Sequence, residues 1–146
     1  MKSHPIYLVQ TETTVGFLSQ NLEKINATKN RPYNQPCLKT VSTCKVLKTI
    51  SRIPREFRRY VRNAKGTTFI YPNKEACRLV QDIRHQKFLK KFDWMYSSSA
   101  NLTKESFNEI YAYEKADIIV EDERGFFEAS SSKLVKLGRQ RKRRLR

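Results

Sequence analysis

The sequence predicts an α/β protein, a mixed sheet layered with helices, on three observations. Short β-prone runs alternate with apolar residues at helical spacing along nearly the whole chain. A length of 146 residues suits one core and hardly two. At 38% hydrophobic residues, spread through the chain, the composition is that of a folded protein, and no internal repeat is visible.

The elements follow in order. Ile6 to Gln10 reads as a strand, and the polar run Thr11 to Gly16 as a loop in which Gly16 takes positive φ. Ser19 is the expected cap of a helix carrying Leu22 and Ile25, which Asn30-Arg31-Pro32 ends, placing Lys29 and Arg31 on a loop. A strand runs from Cys37 to Val41. Ser42 opens a helix through Val46, Leu47 and Ile50, and Pro54 another with Phe57, Tyr60 and Val61 on its apolar side. Thr67 to Tyr71 and Cys77 to Val80 read as strands, and Phe88, Leu89 and Phe92 as a helix after Asp82. Trp94 begins a strand that gives way to a polar loop, Ser97 to Asn101. Phe107, Ile110 and Tyr111 suggest a helix, Asp117 to Val120 a strand, and Ser130 to Leu137 a last alternating segment.

Composition narrows the function. Thirty Lys and Arg against 14 Asp and Glu give a net charge of +16, a field that favours polyanions. Six of the cations lie in residues 139–146, a basic tail, and the single domain of residues 1–138 is still at +10. The four glycines, Gly16, Gly66, Gly125 and Gly138, cannot form a dinucleotide fingerprint or a P-loop. Cys37, Cys44 and Cys77 form no C-x-x-C pair and have only His4 and His85 as soft-ligand companions, so no metal site is expected. Met1 to Pro5 leads into only four apolar residues, too few for a signal-peptide core, and no stretch is long enough to span a membrane. The expectation is a cytoplasmic protein with reduced thiols.

Several clusters invite a functional reading, each with a plainer rival. Arg55, Arg58, Arg59 and Arg62 fall near one face of the helix opened by Pro54; a solvated face is the plain account, and RNA phosphates the one favoured by the charge of the whole body. The acidic group Asp117, Glu121, Asp122 and Glu123 reads as a solvated turn, His85 as a surface residue and Cys37 as packing. Three polar segments at predicted strand ends, Thr11–Gly16, Lys29–Pro32 and Ser97–Asn101, are placed to line one pocket. Lys29 and Arg31 bring charge there, Arg31 as a fork for phosphate or carboxylate, while Ser98, Ser99 and Asn101 bring hydrogen bonds or merely cap a helix.

Read together, these segments resemble the YrdC family of threonylcarbamoyl-AMP synthases. Gln10-Thr11-Glu12-Thr13-Thr14-Val15-Gly16-Phe17 is similar to its P-T-[DE]-T-x-Y-G-L, Lys29-Asn30-Arg31-Pro32 with Pro36 to its K-x-R-P, and Ser98-Ser99-Ala100-Asn101 to its S-x-S-A-N or T-S-A-N, in the family's order. Gly66 to Ile70 resembles the P-G-P-x-T segment, Cys77 to Val80 the v-R-v-P strand, Ser132 to Val135 the S-T-I-V strand and Leu145-Arg146 the terminal L-R. The resemblance spans nearly the whole chain, and its specificity lies in the combination.

The resemblance implies a twisted sheet around a large basic concave surface and the synthesis of threonylcarbamoyl-AMP from ATP, L-threonine and bicarbonate. Magnesium accompanies ATP, and a partner complex transfers the group to tRNA. It implies Lys29 and Arg31 as the catalytic cations on the triphosphate, with Thr68, Ser99, Asn101 and Arg146 also on ATP, and Thr11, Thr13, Arg78 and Ser132 around threonine. The chain departs from the pattern at Val15, at Thr40 where many relatives carry His, at Ala64-Lys65-Gly66 in place of P-G-P, and at Lys104 in place of a glycine. The rival reading is a YrdC-like protein that binds nucleotide, tRNA or double-stranded RNA without synthesis. A third is a structural or ribosome-associated protein.

Overall fold

Strands and helices do alternate. The structure is a computed structural model that describes residues 4–146; Met1, Lys2 and Ser3, where the amino-terminal reading starts, lie outside the described residues. In chain order the elements are β1 (Tyr7–Gln10), β2 (Val15–Ser19), α1 (Leu22–Thr28), β3 (Leu38–Val41), α2 (Cys44–Ile50), a 3₁₀ turn (Arg55–Phe57), α3 (Arg58–Asn63), β4 (Thr67–Ile70), β5 (Ala76–Leu79), α4 (Ile83–Leu89), β6 (Trp94–Ser99), α5 (Glu109–Lys115), β7 (Ile118–Val120), β8 (Lys133–Leu137) and β9 (Lys142–Arg144).

The chain divides into two compact units. In the first, built from the segment up to Cys37 and from Met95–Ser130, the strands run β7-β1-β2-β6. β1 pairs antiparallel with β2 and parallel with β7, and β2 pairs antiparallel with β6, so this sheet is mixed. Ile6, Leu8, Val15, Phe17 and Ile25 form its core with Ala100 and Ala112. The second unit, Leu38–Trp94 with Ser131–Arg146, carries β3-β5-β4-β8-β9, also mixed: β3–β5 and β4–β8 are parallel, β4–β5 and β8–β9 antiparallel. Its core gathers Val41, Leu47, Val61, Phe69 and Tyr71 with Val135 and Leu137. No helix among the described residues is long and apolar enough to cross a membrane.

Local chemistry moved several expected boundaries. Ser19 ends β2 instead of capping α1; Asn21 is the cap, its Oδ1 accepting from Lys24 N at 3.1 Å, while Ser19 Oγ accepts from Asn21 N. At α2 the cap is Thr43, one residue later than expected, because Ser42 N is taken by the Asp93 carbonyl and Ser42 O by the Gln86 amide. Gly16 lies inside β2 without positive φ; its need is space, since a Cβ there would come within 3.0 Å of the Ser98 carbonyl oxygen. The serines 97–99 are strand residues of β6 facing Gly16 to Leu18, so the polar loop begins only at Ala100. After Pro54 a 3₁₀ turn precedes α3, which splits the expected arginine face: Arg55 is on the turn and Arg58, Arg59 and Arg62 are on the helix. Phe107 precedes α5, whose cap is Asn108. Within residues 139–146, Lys142–Arg144 pair with β8 as a strand.

Candidate functional site

In the first unit the Lys-x-Arg-Pro turn is assembled by one buried side chain. Asn26 is fully buried in α1; its Nδ2 donates to the Tyr33 and Gln35 carbonyls at 2.8 and 3.0 Å, and its Oδ1 accepts from Arg31 Nε at 2.7 Å. Asn30 takes φ 54°, the left-handed value that Asn tolerates better than most residues, and turns the chain between Lys29 and Arg31.

Lys29 closes α1 and is only 3% exposed. Its Nζ lies 2.6 Å from Ser99 O, 2.8 Å from Asn101 O, 3.2 Å from Asn101 Oδ1 and 3.3 Å from Ser99 Oγ. Three ammonium protons thus meet four oxygens, two at the end of β6 and two in the loop after it, so Lys29 ties that junction to α1. Burial, and secondarily the Arg31 charge, pull its pKa down to about 8, with Cys37 acting weakly in the opposite sense. Arg31 differs: beyond its bond to Asn26, its Nη2 is buried and has no hydrogen-bond partner among the described residues. A buried guanidinium nitrogen with no acceptor is a position that an anionic oxygen would satisfy.

The Cys37 thiol belongs to this cluster. It donates to the Ser97 carbonyl at 3.0 Å; burial raises its pKa while Arg31, first among several groups, opposes that rise. Thr11 is buried in a turn of its own, donating to Thr14 O at 2.6 Å and accepting from Thr13 N at 3.1 Å. Of the expected residues in this unit, the structure brings Lys29, Ser99 and Asn101 into direct contact, sets Arg31 beside Lys29, and places Thr11 and Thr13 together in a separate turn after β1.

The second unit carries the other expected residues. Thr68 on β4 and Ser132, just before β8, are both buried, with hydroxyl oxygens 2.7 Å apart. Arg146 joins them: its Nε donates to Ser132 O at 2.9 Å and its Nη2 approaches Ser132 Oγ at 3.4 Å, while its main chain pairs with Leu134. Arg78 on β5 is 3% exposed, and its register partner on β3 is Thr40. On the other side of β5, Cys77 is opposite Phe69 and Ala76 opposite Ile70 of β4. Arg55, Arg58, Arg59 and Arg62 are all exposed.

Two features escaped the sequence reading. Asn26 was signalled only by an Asn inside a helix, a position where that residue is a poor former and tends to bond backbone. His85, expected at the surface, is 1% exposed and stacks on Phe88. The acidic group is accounted for locally: Asp117 accepts from Ile6 N and pairs with Lys24 at 3.0 Å, which holds its carboxyl below the usual range, and Asp122 pairs with Arg124 at 2.7 Å. Among the described residues no group of three or more His, Cys, Asp or Glu is placed to hold a metal ion.

No family model and no curated protein matches the sequence. Solved structures do match the fold. Two structures of P. abyssi Sua5, one of them complexed with L-threonine, superpose with TM-scores of 0.81 and 0.80 at 18% and 17% identity, over 97% of this chain. E. coli YciO superposes with a TM-score of 0.76 at 16% identity, over 98% of this chain and 82% of its own. The fold is the YrdC type. Full-length HypF in a phosphate- and nucleotide-bound form also superposes, with a TM-score of 0.75 at 14% identity, over 97% of this chain and 26% of HypF. The chain spans about half of each Sua5 chain, 49% and 50%. Against the YrdC pattern, one departure acquires a geometric meaning: Lys104, standing where the family has glycine, has φ 69°.

Proposed function

We propose that this chain makes threonylcarbamoyl-AMP from L-threonine, bicarbonate and ATP, for threonylcarbamoyladenosine modification of tRNA. The observation that carries the reading is the buried Arg31 Nη2 beside the Lys29–Ser99–Asn101 clamp. It supplies a fixed, always-charged donor on a loop whose backbone is held in place. Support also comes from the YrdC-type fold, from a neighbour crystallised with L-threonine and another bound to nucleotide, and from the ordered set of sequence motifs.

In this reading the threonine amine adds to bicarbonate-derived CO₂, losing a proton to give a carbamate. A carbamate oxygen then attacks the α-phosphorus of ATP, and the bond to the β-phosphate bridge breaks to release pyrophosphate. The protein contributes position and charge. Arg31 holds phosphate oxygens. Lys29 positions Ser99, whose hydroxyl donates to the nucleotide, and Asn101, which closes the loop beside it by donating to the Leu102 and Glu105 carbonyls. In the second unit the buried Thr68 and Ser132 hydroxyls, with the exposed Arg146 that donates to Ser132, serve ATP and threonine in this reading, and Arg78 is a further threonine contact there; Thr11 and Thr13 are the threonine contacts of the first unit. Magnesium enters with ATP as the counter-ion of the substrate, and a partner complex passes the product to tRNA.

The second reading, nucleotide or RNA binding without synthesis, is favoured by a net charge of +16 with exposed arginines and by the buried Thr40 opposite Arg78, where relatives' His is replaced. One assay separates them. Pyrophosphate released only when ATP, L-threonine and bicarbonate are all present supports synthesis; a folded protein that binds ATP without such release supports the second reading.

A further inference from the structure

Arg52 and Arg55, from the connection between α2 and α3, and Arg139, from the β8–β9 turn, line one pocket of about 560 Å³ in the second unit with Pro54, Pro72 and Asn73. No acidic side chain lines it, and none of the three arginines has an ion-pair partner among the described residues. The backbone beneath them is well fixed. Ser51 and Ile53 are buried on either side of exposed Arg52, so that residue is turned outward. Asn73 clamps the segment: its Oδ1 receives the Ser51 hydroxyl at 3.2 Å and its Nδ2 donates to Ile50 O at 3.2 Å. Arg139 sits in the β8–β9 turn, closed by Gly138 N donating to Arg141 O at 2.7 Å, and Pro72 and Asn73 sit in the β4–β5 turn, closed by Lys74 N donating to Tyr71 O at 2.8 Å.

β4 and β8 are parallel neighbours, so both turns lie beyond the same ends of the two strands, with Ile70 opposite Lys136. Thr68 and Ser132 lie near the start of these strands. The distance along β4 from Thr68 to Pro72 is about 13 Å at the rise of an extended chain. The pocket is therefore separate from the Thr68–Ser132–Arg146 group. A smaller adjoining pocket of about 250 Å³ shares Arg52 and adds Lys48 and Arg58. Five cations thus line two pockets that share Arg52, an arrangement of like charges that an anion would relieve.

We propose that this pocket binds an oligophosphate group, two or more linked phosphates. Three arginines with no carboxylate among them bring enough positive charge for several phosphate oxygens, their stems and the two prolines supplying apolar walls, and the volume lies in the range of small-molecule sites. The group can arrive as a free oligophosphate or nucleotide, or as the phosphorylated end of an RNA. The inference goes beyond the proposed synthesis and does not depend on it.

The test is calorimetric titration of the full chain with sodium tripolyphosphate near physiological salt, beside the Arg52→Ala/Arg139→Ala double variant and Arg31→Ala. Both substituted pocket arginines are exposed, so folding is expected to survive, and circular dichroism checks it. The expected result is binding at about 10⁻⁴ M or tighter, weakened at least about tenfold in the double variant. Arg31→Ala is expected to keep that binding and to lose any threonine-dependent pyrophosphate release, which the double variant keeps. Competition by a 5′-triphosphorylated RNA oligonucleotide, but not by its 5′-hydroxyl form, identifies an RNA end as a source; competition by free nucleotide alone identifies a soluble one. Tripolyphosphate that fails to bind, binding unchanged within about twofold in the double variant, or equal competition by 5′-hydroxyl RNA would overturn the proposal.

Discussion

Lys29 Nζ sits 2.6 Å from the carbonyl oxygen of Ser99, a residue seventy positions later in the chain. The bond makes the lysine a strut between α1 and the end of β6. Removing it leaves the Ser99 and Asn101 carbonyls without their shared donor. Lys29→Ala is expected to destabilise the protein by about 1–3 kcal/mol, read as a lower urea midpoint with an unchanged slope, and to weaken ATP as the loop relaxes. A midpoint equal to wild type would remove the strut from the account.

The same lysine gives a pH dependence. The unfolded chain holds this proton up to about 10.5, whereas the folded chain releases it near 8. Between these values the unfolded state binds more protons, so raising the pH favours folding; the burial penalty is fully present below about 8 and is relieved towards 10.5. Lys29→Met lacks this contribution. Urea titrations at several pH values should show the stability of wild type relative to Lys29→Met rising as the pH passes from about 7 to about 10, and a constant difference would contradict the assignment.

Arg31 should separate binding from stability. Arg31→Lys keeps the charge but loses the fork and the Asn26 bond; ATP affinity is expected to fall by about tenfold or more, and by more again in Arg31→Ala. Equal ATP affinity in wild type and both variants would take Arg31 out of the site.

Thr68 and Ser132 should be energetically coupled. Ser132→Ala strands the buried Thr68 hydroxyl and Thr68→Val leaves Ser132 Oγ only the longer Arg146 contact, each at a cost of about 1–3 kcal/mol, while the double variant should be less unstable than the sum by about 0.5–1.5 kcal/mol. Strict additivity would mean that the 2.7 Å contact contributes nothing.

Lys104 occupies a left-handed conformation that costs a side chain about 1–2 kcal/mol and glycine nothing. Lys104→Gly is expected to be neutral or to stabilise by up to about 1 kcal/mol, against a loss in Lys104→Val, whose β-branched side chain is poorly tolerated at that φ. Thermal unfolding reads the difference.

Strand-forming runs such as Tyr7–Gln10 and Thr67–Ile70 were legible because their neighbours in sequence already favour extended backbone, and the α/β class followed from how such runs alternate with helical ones. The caps were legible only to within a residue or two: Ser19 and Ser42 are as able to cap as Asn21 and Thr43, but Ser19 is held in β2 opposite Tyr96 and Ser42 is bonded by Asp93 and Gln86. At the candidate site the residue types were visible and their tasks were not. Nothing local distinguishes Lys29, saturated by four oxygens, from Arg31, whose outer nitrogen has none, because that contrast is set by Ser99, Asn101 and Asn26. Likewise the pocket of Arg52, Arg55 and Arg139 joins turns that only strand register brings together.

The strand Lys142-Arg143-Arg144 is the outermost of its sheet, exposed throughout, with Lys142 also lying 3.9 Å over the Tyr60 ring. A border made of cations discourages a second molecule from stacking onto it, since repulsion guards the unpaired backbone. That guard is only as strong as the medium lets it be. Brine, heparin or contaminating nucleic acid would each silence it, so purification routes that shed polyanions at high salt should be brought back promptly to dilute buffer.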